Sequence, residues 1–379
     1  MITRRTLSHA AIEVVTNWRE FEEARAVAWF AIAPARSREA RGTTSPVRGR
    51  GGDGGDRPAM FARVRACPYC NSQESRLFGH RLGHRIVRCG RCGSLFKDLT
   101  PAEFSELHAH AFTDNVFLER VVAVNAHKPD IRTWRQFAPL LPPGPLLEVG
   151  PGAGHVLAAA RDDGREVYGL ESSAVHRDFI RKTWGIETLA DSPESLVDMA
   201  PPFAAVLAFN TIEHMYDLET TFRFLGERLR PGGTILVSTC NADCAILPLV
   251  GPYWAMLKVP DHVSIPSAEG LRKLGARTGL STERVWTGEY PLETPIGILV
   301  AARDWWRERR GPAGGHSSSN GDVTQDPGDP DPMPSDGLSA QRRILRRTME
   351  LARGVDPSYR LTARLGRAAA IRGLFRKPS

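Results

Sequence analysis

Residues 146–171 read LLEVGPGAGHVLAAARDDGREVYGLE, and the expected fold follows from this stretch. The apolar run at 146–149 predicts a buried strand, which a G-x-G-x-G loop at 150–154 follows before an alanine-rich helix. The alternating run at 166–171 predicts a second strand. Together these elements form half of a nucleotide-binding βαβ unit, in which glycines let the backbone turn sharply beside a ligand.

The spacing of the glycines argues against a dinucleotide ligand. The NAD fingerprint G-x-G-x-x-G needs its third glycine where this sequence has His155. Here Gly150, Gly152 and Gly154 alternate instead, and Glu148 stands two residues ahead of them. This pattern resembles motif I of the class I S-adenosylmethionine (SAM) methyltransferases. The resemblance implies SAM as the cofactor, with its aminoacyl part in the glycine loop.

Three further residues complete the predicted cofactor site. In the family an acid that ends the second strand binds the ribose diol; Glu171 has that position, and a carboxylate suits two hydroxyl donors. An acid after the third strand contacts adenine, which gives Asp191 that role, although it equally fits the N-cap of a helix starting at Pro193. Asn210 follows the fourth predicted strand at the same edge of the sheet.

Strands and helices alternate through residues 145–240, which predicts an α/β, Rossmann-like, doubly wound and mostly parallel sheet. Ligands of such sheets bind at the carboxyl ends of the strands, where all the residues singled out so far stand. The run FAAVLAFNTIEHMYDLETTFRFLGERLRPGGTILVST at 203–239 is similar to small-molecule methyltransferases. We expect the domain to occupy 145–310. The final antiparallel strand pair usual in the family is not evident.

The predicted catalytic residues are His214, Glu213 and His262. Methyl transfer from SAM mainly requires alignment of the acceptor, but hydroxyls and acidic carbons also need a base. His214 is the first candidate because its pKa suits proton transfer near neutrality, and His262 is the second. Glu213 and His214 can alternatively contribute to a divalent metal site, since the segment resembles the ubiquinone-biosynthesis O-methyltransferases. Their E-x-x-E-H motif has an acid where this chain has Asn210.

Residues 64–97 predict a zinc ribbon. Four cysteines are spaced C-x2-C-x18-C-x2-C, which is metal-ligand spacing and favours a closed, structural Zn²⁺ site: Cys67, Cys70, Cys89 and Cys92. A redox C-x-x-C pair is the competing interpretation. A ribbon ahead of a class I domain resembles the sugar C-methyltransferases of deoxysugar pathways.

The flanking segments differ in composition from this core. We expect a disordered extension at 1–60, a helical connector at 101–141, a disordered linker at 311–337 and two basic amphipathic helices within 338–379. Of the net charge of +7, residues 338–379 hold eleven Arg or Lys against two acids. No apolar run approaches the ~20 residues that span a bilayer. Cysteines in metal-ligand spacing instead of a secreted disulfide framework, together with a SAM site, indicate a cytoplasmic protein.

These observations predict a SAM-dependent methyltransferase acting on a small molecule, such as a nucleotide sugar or a lipid-linked intermediate. A quinone or polyketide O-methyltransferase is the alternative within the class. From another class, the chain could be a non-catalytic zinc-ribbon binding protein on a methyltransferase scaffold. The acidic central region disfavours a specific nucleic-acid partner, whereas the C-terminal basic helices can contact an anionic membrane surface.

Overall fold

The computed structural model describes residues 65–81, 83–111, 130–190, 202–258, 261–288, 301–302, 305–306, 362 and 364–379. The strands in these ranges are β1 Ser75–Arg81, β2 His84–Cys89, β3 Leu95–Lys97, β4 Leu146–Val149, β5 Val167–Glu171, β6 Thr188–Ala190, β7 Phe203–Phe209, β8 Leu229–Cys240, β9 Ser264–Ile265, β10 Ser281–Gly288 and β11 Ala370–Arg376. The α-helices are α1 Pro101–Ala111, α2 Ile131–Phe137, α3 His155–Asp162, α4 Ala174–Trp184, α5 Leu218–Arg228, α6 Leu247–Val250, α7 Ala255–Lys258 and α8 Ala268–Arg277.

Seven of the described strands form one sheet in the order β10-β11-β8-β7-β4-β5-β6. The strands from β8 to β6 are parallel, and the helices that follow β4, β5 and β7 connect them, so the carboxyl ends of these strands lie at one edge. This arrangement confirms the predicted Rossmann-like, mostly parallel fold. Within the sheet, β4 and β7 are almost completely buried, which explains their apolar sequences, interrupted only by Glu148.

The C-terminal end of the chain differs from its prediction. Residues 370–376 form strand β11 where an amphipathic helix was expected, and β11 pairs antiparallel with both β8 and β10. Ile371 and Phe375 are fully buried in the domain core. The prediction that the domain ends at residue 310 and that basic helices fill 338–379 is therefore wrong for this part. The final antiparallel strands do exist, separated by a long segment.

The other predicted segments are only partly covered by the described residues. Helices α1 and α2 lie within the expected connector at 101–141. The extension at 1–60 and the linker at 311–337 lie outside the described residues, as do residues 338–361 of the C-terminal segment. Among the helices that the structure does describe, none combines the length and the hydropathy needed to cross a bilayer.

A second, four-stranded sheet has the order β1-β2-β3-β9. The first three strands belong to the predicted ribbon at 64–97, and β9 comes from the segment between β8 and α8. Leu95 pairs with Ile265 and Phe96 with Ser264 in antiparallel register. The ribbon is thus joined to the α/β domain by backbone pairing.

Candidate active site

The glycine loop has the backbone conformation that its sequence requires. Gly150, Gly152 and Gly154 have φ values of 67°, 56° and 73°, in the left-handed region that other L-residues adopt only with strain. Helix α3 begins directly after the loop, at His155. The loop therefore turns the chain from β4 into α3 with three backbone units that carry no side chain.

Glu171, at the end of β5, reaches this loop. Its Oε2 accepts a hydrogen bond from the Gly152 N–H at 3.1 Å, and its Oε1 accepts one from the Ser173 N–H at 2.9 Å. Since a carboxylate oxygen can accept more than one hydrogen bond, each oxygen retains capacity for a ribose hydroxyl. The structure thus brings together the two features that the sequence predicted for SAM, and the residues present fit that cofactor.

The remaining predicted cofactor residues occupy the same edge or lie outside the described ranges. Glu148 is a buried residue of β4. Asn210 follows β7 with a φ of 49°, an uncommon conformation that asparagine tolerates better than most residues. The hydroxyl of the following residue, Thr211, donates a hydrogen bond to the Val149 carbonyl at 3.1 Å and so connects the ends of β7 and β4. Asp191 lies outside the described residues.

His214 is held by a carboxylate that sequence reasoning missed. Its Nδ1 lies 2.9 Å from Oδ2 of Asp261, and both side chains are buried. Burial alone would raise the pKa of Asp261, but the charge and hydrogen bond of His214 lower it well below its usual value. A carboxylate beside Nδ1 favours the neutral tautomer that carries its proton on that nitrogen and leaves Nε2 as a hydrogen-bond acceptor. The available signal was the Asp-His pair at 261–262.

His262 and Glu213 adjoin His214. The two imidazole rings meet edge to face at 4.6 Å between centroids, and His262 Nδ1 contacts the Met256 carbonyl at 2.9 Å. Burial, together with the charge of His214, lowers the pKa of His262 to about 3. Burial raises the pKa of Glu213. The structure therefore brings all three predicted catalytic residues together.

The same three residues can also hold a cation. One ligand atom each from Glu213, His214 and His262 lie within 4.8 Å of one another. Nε2 of His262 is buried and has no hydrogen-bond partner in the described part of the chain. Two imidazoles and a carboxylate suit a divalent transition metal, and a carboxylate such as Asp261 behind a histidine ligand is a common supporting contact. The donor set thus fits a divalent ion although Asn210 replaces the first acid of E-x-x-E-H.

Two more buried ionisable side chains interact electrostatically with this cluster, and neither was predicted. Lys97, at the end of β3, is only 1% exposed, and burial lowers its pKa to about 8. His108 on α1 is buried as well, and its pKa falls to about 4 through burial and the charge of His214. Segments far apart in the sequence thus bring their ionisable groups to one place, which no local pattern could indicate.

The four predicted zinc ligands also converge. Sγ of Cys67 lies 3.6 Å from Sγ of Cys92, and Sγ of Cys70 lies 3.5 Å from Sγ of Cys89. Four sulfurs bound tetrahedrally to Zn²⁺ at about 2.3 Å stand about 3.8 Å apart. The Arg91 N–H points at Cys89 Sγ at 3.4 Å. The cluster fits one Zn²⁺ ion and has no position left for a water ligand.

The α/β domain matches the sequence model of a known protein family. Residues 126–285 match the family model described as a methyltransferase domain. This match, with the sheet order and the glycine loop, places the domain among the class I SAM-dependent methyltransferases, which confirms the predicted family and its cofactor class.

Among curated proteins, two relatives match part of the chain. A ubiquinone biosynthesis O-methyltransferase of Chelativorans sp. (strain BNC1) is 28% identical over 149 residues, which cover 36% of this chain and 59% of that protein. A protein of the same name from Mesorhizobium japonicum is 26% identical over 122 residues, covering 30% and 49%. The chain therefore spans only about half the length of these relatives. A SAM-dependent methyltransferase structure from Archaeoglobus fulgidus has a TM-score of 0.43 at 13% identity, covering 70% of this chain and 100% of that one.

Proposed function

We propose that this protein transfers the methyl group of SAM to a hydroxyl group or an acidic carbon of a small molecule, with His214 as the general base. The contact of 2.9 Å between His214 Nδ1 and Asp261 carries this proposal. A carboxylate that orients an imidazole and stabilises its protonated form is the arrangement of many general bases. An acceptor that is already nucleophilic without loss of a proton would not need this pair.

The cofactor and the base belong to neighbouring strands. The glycine loop follows β4 and His214 follows β7, which pairs with β4. The Thr211 hydrogen bond to Val149 fixes the two strand ends to each other. Adjacent strands lie about 4.8 Å apart, so SAM in the glycine loop and an acceptor beside His214 would be neighbours. The role proposed for Glu171 is to bind the ribose diol.

A bound divalent ion would change the division of roles. Glu213, His214 and His262 would hold it, and it would polarise an acceptor hydroxyl as a Lewis acid. In that case Asp261 would orient His214 as a ligand, and the acceptor would still need to lose a proton. Both variants of the mechanism therefore concern acceptors with an ionisable O–H or C–H group.

The name of the matched relatives, ubiquinone biosynthesis O-methyltransferase, supports an acceptor of the quinone type. A sugar acceptor, carried on a nucleotide or a lipid, is the second class, and it comes from the resemblance of the ribbon and domain to the sugar C-methyltransferases. The base and the cofactor loop serve either class equally well. The acceptor screen therefore includes compounds of both classes.

The test uses SAM labelled in its methyl group and two acceptor panels, one of catechols and phenols and one of nucleotide sugars. Mass spectrometry should detect a labelled product with the wild-type protein and a strong loss with His214→Asn. His80→Asn is the matched control because His80 is exposed on β1. Labelled product at an equal rate from His214→Asn would contradict the role of His214. Tight SAM binding without any product would favour the non-catalytic scaffold.

A further inference from the structure

The ribbon is bonded to the segment that carries Asp261. The Lys97 N–H donates to the Val263 carbonyl at 2.9 Å, and the Val263 N–H donates to the Glu213 carbonyl at 2.8 Å. Backbone hydrogen bonds thus run from the end of β3 through Val263 to the strand end that bears His214. Asp261 stands two residues before Val263 and receives its position from this connection.

The two Cys-x-x-Cys turns, 67–70 and 89–92, here called the cysteine knuckles, extend the connection. Tyr69, between Cys67 and Cys70, has no exposed surface, and its hydroxyl lies 3.0 Å from Oγ of Ser264. In the second knuckle the Cys92 carbonyl accepts a hydrogen bond from Ser267 Oγ.

Ser94 reinforces the same junction, because its Oγ accepts a hydrogen bond from the Ser267 N–H at 3.1 Å. Each knuckle therefore holds one of the serines that follow the Asp-His pair, Ser264 and Ser267.

The two knuckles are held in position by the metal ion that their four cysteines are predicted to bind. Residues 65–97 contain three strands of seven, six and three residues, too little chain to bury a stable core by itself. In such small units a structural Zn²⁺ ion fixes the turns relative to each other. Loss of the ion would release Tyr69 and the Cys92 carbonyl from their partners.

We propose that the ribbon is a positioning element of the active site: a metal ion in the four-cysteine site holds Tyr69 and Cys92 against Ser264 and Ser267, and so keeps Asp261 beside His214. Tyr69 is a positioning residue in this scheme. The hydrogen bonds described here do not involve the glycine loop or Glu171, so metal loss disturbs the acceptor side and leaves the SAM side intact. The consequence for catalysis rests on the proposed role of His214, but the structural coupling does not.

Hydrogen–deuterium exchange of full-length Tyr69→Phe tests the coupling without any acceptor. This variant loses one hydroxyl, and we expect peptides spanning 261–267 to exchange about fivefold faster, the effect of one buried hydrogen bond. Zinc content and the SAM dissociation constant should be unchanged. Tyr168→Phe is the matched control, since its hydroxyl bonds to exposed Glu166. Wild-type exchange at 261–267 in Tyr69→Phe would overturn the assignment of Tyr69.

Removal of the metal by a chelator from the full-length protein gives the second measurement. Exchange should rise more than about tenfold at 211–216 and 261–267, while SAM affinity by calorimetry stays within about twofold of the loaded protein. Unchanged exchange at these peptides would overturn the proposal, and so would a parallel loss of SAM binding. Once an acceptor is known, kcat of Tyr69→Phe should fall about fivefold at an unchanged KM for SAM. A failed acceptor screen would affect only the proposed function, because the exchange measurements need no turnover.

Discussion

Replacing Asp261 with asparagine keeps the size of the side chain and removes the charge that orients His214. The pair is buried, with 0% of the His214 side chain and 9% of the Asp261 side chain exposed. A hydrogen bond to a charged partner contributes about 1.5–3 kcal/mol. Since 1.36 kcal/mol corresponds to a factor of ten in rate, kcat should fall by about 10- to 150-fold. An asparagine that turns its amide N–H toward His214 would also favour the wrong tautomer.

The rate of methyl transfer from labelled SAM to the acceptor identified in the screen measures this effect. Asp178→Asn is the control, because Asp178 pairs with Arg181 and Lys182 on the surface of α4. SAM affinity should remain that of the wild type, since Asp261 contacts neither the glycine loop nor Glu171 in the described interactions. A kcat of Asp261→Asn within twofold of the control would refute the reasoning and leave Asp261 with a structural role.

Three further substitutions test the other parts of the molecule. Glu171→Ala should weaken SAM binding about 10- to 150-fold in calorimetry, since about 1.5–3 kcal/mol of charge-assisted bonding to the ribose is lost; an unchanged affinity would exclude that contact. Cys89→Ser should lower the zinc content from about one ion per chain to nearly none in metal analysis, and full retention would exclude Cys89 as a ligand. Phe375→Ala should destabilise the fold by about 3–5 kcal/mol in urea unfolding, because Phe375 is fully buried, whereas Leu365→Ala, at a residue 64% exposed, should cost less than about 0.5 kcal/mol. Equal effects of these last two changes would contradict the packing of β11.

Sequence patterns predicted the parts of the molecule that short-range interactions determine. The strand before residue 150 is apolar except for Glu148, and the glycines that follow it are needed for positive φ angles at three alternate positions. The two C-x-x-C pairs likewise form knuckles from neighbouring residues. In each case the geometry depends on residues only a few positions apart, so the local sequence contains the necessary information.

The Asp261–His214 pair could not be predicted in this way. The two residues are far apart in the chain, and their contact depends on β9, which pairs with a ribbon strand from yet another region. In the sequence, Asp261 is notable only as the neighbour of His262. The His262 ring is hydrogen-bonded to the Met256 carbonyl. His214 could be singled out from the sequence because it follows a predicted strand of the sheet.

Strand β11 shows the same limit and changes the interpretation of the basic C-terminus. Apolar residues and arginines in 370–376 fit one side of a helix as well as a strand, and periodicity does not distinguish the two over so short a run. Its pairing with β8 and β10 makes this segment a strand. Within the strand Arg376 pairs with Glu283 and donates to the Gly232 carbonyl, and Arg372 lies over the ring of Phe137 at 5.3 Å. These charges serve contacts inside the domain, so a contact with an anionic membrane, if the C-terminal segment makes one, must depend on the arginines that precede β11.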